Sequence, residues 1–119
     1  MIDIAKAEKI ITDTVPALKP LQGGINVKGN YLLFDHIAIA NAHIDDINYI
    51  FNAYVATRSR TKDKKYIYKP LEDILNPLIT AFQQTRKIQI GTIKPYVVQG
   101  LIVYQIPLTV NLYEAIDDE

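Results

Sequence analysis

The stretch GLIVYQIPLTVNLYE, residues 100–114, decides the fold of this 119-residue chain. Its side chains alternate between an apolar set and a more polar set along most of its length. A period of two predicts a β-strand with one buried face. The apolar set is Ile102, Tyr104, Ile106, Leu108, Val110 and Leu112. Pro107 falls on the more polar face and cannot donate to a strand ladder, so we expect an edge position or a bulge there.

Two segments upstream predict further strands. YLLFDHIAIANAHI, residues 31–44, is rich in apolar and β-branched side chains, and NYIFNAYVATRS, residues 48–59, alternates. Asp45 and Asp46 lie between them and favour a turn, because aspartate readily bonds its own nearby backbone. So short a link predicts an antiparallel hairpin. The segment KIQIGTI, residues 87–93, predicts another short strand.

Two segments show the spacing of amphipathic helices. Residues 2–14 carry apolar side chains three and four positions apart, at Ile4, Ala7, Ile11 and Val15. We expect a second helix to begin near Pro70, since proline is tolerated in a first turn, with Glu72 and Asp73 near its positive dipole end. Pro77 is expected to kink or split this helix, because its ring removes a backbone donor.

The elements predict one α+β domain over residues 1–119. Their order is α-β-β-α-β-β, with an antiparallel sheet of about four strands and the two main helices on one face. The chain is 49% apolar and 22% charged, which is typical of a soluble globular protein. It has no cysteine, and we find no signal peptide or membrane span. These features predict a cytoplasmic protein without a membrane partner.

Candidate catalytic groups are few. If residues 31–44 form one regular strand, His36 and His43 point to opposite faces and cannot chelate one ion together. A cluster of His43, Asp45 and Asp46 has the donors of an oxygen-rich metal site, but a polar strand end and turn explains the same residues.

The other usual signatures of an active site are also missing from the sequence. The only serine, Ser59, lacks a flanking G-x-S-x-G turn, and Gly23-Gly24 lack the strand and helix that flank a phosphate-binding loop. We therefore predict that the chain is not an enzyme and has no cofactor or resident metal.

The most basic stretch is RSRTKDKKYIYK, residues 58–69, which holds six of the 13 lysines and arginines. One interpretation is a mobile, solvated assembly loop. The other is a nucleic-acid site, because single-strand binders combine aromatic side chains with basic grooves. The 13 basic and 13 acidic residues cancel, which argues against a dedicated nucleic-acid binder. The candidate residues are Arg58, Arg60, Lys62, Lys64, Lys65, Tyr66 and Tyr68.

The chain ends in an acidic segment, so positive and negative charges are concentrated in different parts of the sequence. The acids are Glu114, Asp117, Asp118 and Glu119. A protomer that is basic in one place and acidic in another can pack head to tail with copies of itself, and such an interface gives a ring if it closes. Opposite charges would set the register and the encounter rate of that interface. We take the acidic segment as the expected partner surface of the basic stretch.

The outline resembles the small tail-terminator or tail-completion proteins of tailed bacteriophages and prophages, including the Mu-like group of minor tail proteins. The resemblance lies in the size, the element order and the alternating last strand, VYQIPLTVNLYEAI, residues 103–116. It covers most of the chain. It runs from an N-terminal amphipathic helix through a hairpin ending near Arg58 to a central helix near Pro70 and that last strand.

The resemblance implies a structural role in the virion. Proteins of this family form a ring, typically a hexamer, that ends the tail tube and offers a surface to head-completion proteins. The expected partners are further copies of this chain, the tail tube protein and head-completion proteins, without specific nucleic-acid binding. The expected location is the host cytoplasm during assembly and then the virion tail. Two alternatives stay open: another head–tail joining adaptor, and a small nucleic-acid-binding module that uses residues 58–69.

Overall fold

The chain forms two helices and a six-stranded mixed sheet, an α+β architecture. A computed structural model describes residues 2–41, 43, 46–58 and 65–112, and for 65–67 it describes the backbone alone. The elements are α1 (Ile4–Thr14), β1 (Lys19–Pro20), β2 (Gly29–Asn41), β3 (Asp46–Arg58), α2 (Lys65–Thr85), β4 (Ile88–Ile90), β5 (Lys94–Val98) and β6 (Leu101–Asn111). The predicted class is confirmed. The predicted order and the four antiparallel strands are wrong, because β1 and β5 add two strands and β1 runs parallel to β2.

β3 and β6 form the centre of the sheet, whose strand order is β1-β2-β3-β6-β4. β2 and β3 make the predicted hairpin, and β3 pairs antiparallel with β6 along its length, with Phe51 opposite Leu108 and Val55 opposite Tyr104. β4 and β5 both pair with the other side of β6. The alternating pattern of both central strands therefore places one set of side chains on the face that the helices cover.

A bulge in β2 keeps the correct side chains in the core. The register with β3 shifts between Phe34 and His36, so Asp35 is the extra residue. Phe34 faces Phe51 before the bulge, with ring centroids 5.4 Å apart and planes at 70°. Without the shift, Ile37 would point away from the helices; with it, Ile37 lies opposite the buried Tyr49.

Both helices bury a stripe against the sheet. In α1 the side chain of Asp3 caps the first turn by accepting from the Lys6 amide at 3.0 Å. The predicted stripe of α1 is confirmed, since Ala7 and Ile11 are buried. Ile74 and Leu78 of α2 belong to the same core cluster as the inner faces of β3 and β6. Neither helix that the structure describes has the length and hydropathy of a membrane span.

The start of α2 differs from the prediction. The helix begins at Lys65, so Pro70 lies inside it rather than in its first turn, and Pro77 does not split it. Each proline removes one backbone donor. Packing of the apolar stripe on the sheet offsets that loss, because tertiary contacts supply most of the stability of a protein helix.

A smaller apolar cluster lies on the other face of the sheet. Its buried members are Ile25, Ala56, Leu101 and Val103. Leu21 and Ile25 come from the connection between β1 and β2, which therefore covers one end of this face. The rest of the face carries half-buried and exposed side chains such as Leu33, Tyr54 and Tyr96.

Candidate functional site

The basic stretch divides between two elements. Arg58 is the last residue of β3 and is exposed, and residues 65–69 are the first residues of α2. The prediction of a loop is therefore wrong for Lys65, Tyr66 and Tyr68, whose backbone is helical. Arg60, Lys62 and Lys64 lie outside the described residues, as does Ser59.

Tyr68 is the one aromatic side chain of that stretch whose surroundings the structure describes. It is 48% exposed on α2. Burial raises the pKa of Tyr104 on β6, and the nearby Tyr68 hydroxyl raises it further. Tyr68 of α2 therefore lies near Tyr104, the fourth residue of β6. Lys69, the last cation of the stretch, pairs with Asp73 one turn along α2, at 3.1 Å.

The predicted acidic residues Glu114, Asp117, Asp118 and Glu119 lie outside the described residues. The chain leads into them from Asn111, the last residue of β6. Asn111 pairs with Asn48 at the beginning of β3, whereas Leu101 at the other end of β6 pairs with Arg58. The basic and acidic segments thus leave the sheet at opposite ends.

The histidines do not form a shared site. The premise of one regular strand over residues 31–44 is wrong, because β2 ends at Asn41 and is bulged. The Nδ1 of His36 lies 2.5 Å from Asp35 Oδ2, and the amide of His43 donates to the side chain of Asn41. The part of the chain that the structure describes holds no group of three metal-ligating side chains.

Of the two aspartates in the candidate metal cluster, the structure describes Asp46. Asp46 opens β3, and its Oδ1 accepts a hydrogen bond from the side chain of Asn111 at 2.8 Å. That bond joins β3 to β6 at the end of the sheet. Asp45 lies outside the described residues.

A concave pocket at the beginning of β6 is a feature that sequence reasoning missed. It has a volume of ≈ 190 Å³, and its lining includes two cations, Lys28 and Arg58. The other lining residues are Asn26, Val27, Gln99, Gly100 and Leu101. Lys28 and Arg58 are 30 positions apart, but the β2–β3 register sets Gly29 opposite Ala56 and so brings both cations to one end of the sheet. No short motif signals that pairing.

The two-residue turn between β5 and β6 forms one wall of this pocket. Gln99 and Gly100 both have positive φ, 49° and 78°, as a type I′ turn requires. The dipeptide Gln-Gly before an alternating strand is the local signal that could have revealed the β5–β6 hairpin.

The outer edge of β2 is the second missed feature. β1 pairs only with Tyr31 and Leu32. Among the described residues no strand pairs with this edge of β2 after Leu32. The edge carries neither lysine nor proline from Gly29 to Asn41, and Ile39 is 58% exposed on it. Natural sheets usually protect a free edge with charged side chains, proline, a β-bulge or a very short strand, and of these β2 has the bulge at Asp35 and a second register shift between Ile39 and Asn41.

The opposite edge of the sheet is better protected. β5 begins Lys94-Pro95, two residues that discourage further pairing. Tyr96 of β5 lies on the helix-free face near Tyr54 of β3. Burial raises the pKa of Tyr54, and Tyr96 and Asp35 raise it further. This face therefore carries aromatic side chains, with Asp35 nearby.

The comparisons with known proteins do not identify the chain. No protein-family model matches it, and no curated protein matches it.

Proposed function

We propose that this chain is a structural protein of a tailed-phage or prophage virion, which self-associates into a ring that terminates the tail tube and joins it to the head. The resemblance in size and in the alternating last strand supports this role. The confirmed helix, hairpin, helix and closing strand keep the main elements of that outline. In this proposal the chain has no catalytic activity, and its partners are further copies, the tail tube protein and head-completion proteins.

The observation that carries the proposal is the free edge of β2. Its backbone groups beyond Leu32 have no strand partner among the described residues, and Ile39 exposes apolar surface beside them. An exposed apolar edge promotes pairing with another chain. The edge carries neither lysine nor proline, so its part beyond the Asp35 bulge is open to pairing with a strand of an assembled partner.

The ring and its copy number rest on the resemblance. A strand added to β2 from a different surface of a second copy is a heterologous contact, and such contacts give rings when the rotation closes. The hexamer, the location in the virion tail and assembly in the host cytoplasm belong to the same proposal.

The test is the solution mass by light scattering over a wide concentration range. We expect a closed oligomer of the wild-type chain, with Ile39→Lys shifting the mass toward the monomer because it places a charge on the free edge. Ile2→Lys is the matched control, since Ile2 is also an exposed isoleucine but precedes α1. A wild-type chain that stays monomeric at every concentration, alone and with tail tubes, would contradict the proposal.

The second candidate is a nucleic-acid-binding module. The observation in its favour is the pair of cations in the pocket at the end of β3, directly before the rest of the basic stretch. It predicts affinity for single-stranded oligonucleotides that falls steeply as salt rises. If the chain does not bind single-stranded oligonucleotides even at low salt, the nucleic-acid-binding function is excluded.

A further inference from the structure

The pocket at the beginning of β6 brings two cations together, Lys28 and Arg58. Among the described residues the side chains of Lys28 and Arg58 make no hydrogen bond and no ion pair, although both line one cavity of ≈ 190 Å³. No acidic side chain is among the lining residues, and Asn26 and Gln99 add amide groups. Two like charges that share a concave site repel each other. An anion placed between them would relieve that repulsion, so the pocket is built for a negatively charged ligand.

The chain itself carries a matching anion. Four of residues 114–119 are acidic, and this segment follows the end of β6, opposite the pocket. A carboxylate presents two acceptor oxygens, which suit the donor fork of arginine and the ammonium group of lysine. The acidic segment therefore supplies the chemistry that the pocket lacks.

The acidic segment of the same copy falls short of the pocket. From Leu101, which lines the pocket, to Asn111 the strand runs ten residue steps, about 34 Å. The last acidic residue, Glu119, is eight steps beyond Asn111, and a fully extended backbone of eight steps spans at most about 29 Å. The segment would also have to reverse its direction. A second copy can place these carboxylates in the pocket without full extension and without that reversal.

We propose that the Lys28–Arg58 pocket of one copy binds the acidic carboxylates of residues 114–119 of the next copy. The inference rests on the proposed self-association. It names a contact that would set the orientation of one copy relative to the next. The pocket lies at the beginning of β6, and the acidic segment follows the end of β6, so the two partners of the contact lie at opposite ends of the strand. The contact between copies is therefore head to tail. Each copy then offers one pocket and one acidic segment, so a closed ring uses all of them.

Charge-reversed variants test this contact. One variant carries Lys28→Glu and Arg58→Glu; a second carries Glu114→Lys, Asp117→Lys, Asp118→Lys and Glu119→Lys. Each alone should weaken self-association about tenfold or more at low salt, because attraction becomes repulsion. A chain that carries both sets of changes should associate again, and so should an equal mixture of the two variants. The mass is measured by light scattering at matched concentrations, with the far-ultraviolet circular dichroism of each variant to show that it folds.

The control is Lys6→Glu with Lys9→Glu. It makes the same change in net charge on exposed positions of α1, and its mass should equal that of the wild type. A neutral variant, Lys28→Gln with Arg58→Gln, should weaken association less than the reversal does, since it removes attraction without adding repulsion.

The outcomes separate this inference from the proposed function. If the wild type associates and neither reversal changes its mass, the pocket contact is wrong while the ring proposal stands. If the wild type is monomeric throughout, both fail. If only the pocket reversal has an effect, and it abolishes binding of a labelled single-stranded oligonucleotide, the pocket binds phosphate and the inference is overturned. Restored association in the chain with both reversals is the result that supports it.

Discussion

The backbone amide of Asp3 donates a hydrogen bond to the hydroxyl oxygen of Tyr49 at 2.9 Å, across 46 positions of the sequence. Tyr49 is buried in the middle of the core, and Asp3 is the N-cap of α1. One tyrosine therefore packs its ring under the helices and uses its hydroxyl to fix the beginning of α1 over β3. Buried tyrosine usually finds such a partner.

Tyr49→Phe should lower the free energy of unfolding by about 0.5–1.5 kcal/mol, the usual worth of one hydrogen bond. The ring and its packing are kept, so the loss reports the hydroxyl alone. Urea unfolding should show a lower midpoint with an unchanged slope. Tyr96→Phe is the control, because that hydroxyl lies at the edge strand β5 and should change the free energy by less than about 0.5 kcal/mol. Equal effects of the two substitutions would argue against the role of the Asp3 bond.

Leu78 and Ile79 are neighbours in α2 with opposite environments. Leu78 is fully buried, and Ile79 is 42% exposed. Leu78→Ala should cost about 2–5 kcal/mol because it leaves a cavity under the helix. Ile79→Ala should cost much less, since it removes surface contacts and alanine favours a helix. Thermal and urea unfolding of both variants measure the difference, and a larger loss at Ile79 would mean that α2 is rotated from the position described.

Thr57 of β3 holds a buried hydroxyl whose Oγ1 has no hydrogen-bond partner in the described part of the chain. An unsatisfied buried hydroxyl costs free energy that valine, of the same shape, does not. Thr57→Val should therefore raise the free energy of unfolding by about 1 kcal/mol. Thr57→Ser is the control, because it keeps the hydroxyl and removes a methyl group, and it should be less stable than the wild type. A destabilised valine variant would show that this hydroxyl has a polar partner.

The central strands could be predicted because their burial and their period agree. β6 and β3 are buried on one face along their length, so alternation in the sequence maps directly onto the fold. β5 could not be found in the same way. Its residues read Lys-Pro-Tyr-Val-Val, a segment with a proline and no alternation, and only pairing with β6 makes it a strand.

Pro107 lies inside β6, although proline has no N–H to donate to a strand ladder. The register of β6 with β3 is continuous through Pro107, so there is no bulge, but on the other side Pro107 lies in the gap between β4 and β5 and so has a local edge position. The carbonyl of Pro107 accepts from the Gly91 amide at 2.9 Å, on the side where β4 ends and β5 begins. In a strand the amide and carbonyl of one residue face the same side. The N–H that proline lacks would therefore face Gly91, and the pairing of β4 with β6 ends at Ile90, one residue before that position.

The candidate site was less predictable than the fold. Arg58 stood out in the sequence as part of a charge run, but Lys28 did not, because its position beside Arg58 depends on the register of β2 with β3. The free edge of β2 depends likewise on how short β1 is. Neither a pocket nor an edge is a property of a segment; each is a property of the pairing between segments.

Alkaline pH should lower the free energy of unfolding through two tyrosines, Tyr54 and Tyr96, on the face of the sheet that the helices do not cover. Burial raises the pKa of Tyr54, with Tyr96 and Asp35 adding to it, and burial also raises the pKa of Tyr96. The unfolded chain loses these protons near about pH 10, whereas the folded chain holds them to higher pH. Above that pH the unfolded state binds fewer protons, so the free energy of unfolding falls as the pH rises. Below it the contribution of both tyrosines is fully present.

Urea midpoints measured from about pH 8 to about pH 11.5 should therefore be level at first and fall beyond about pH 10. The double variant Tyr54→Phe with Tyr96→Phe removes both groups and should fall less steeply over the same interval, although Tyr104, whose pKa is also raised, and the lysines remain in both chains. Titration of the tyrosinate absorbance of the folded chain gives an independent measurement of the same protons, and the variant should lose the component that titrates last. Identical slopes for the two chains above about pH 10 would show that these hydroxyls titrate alike in the folded and unfolded states.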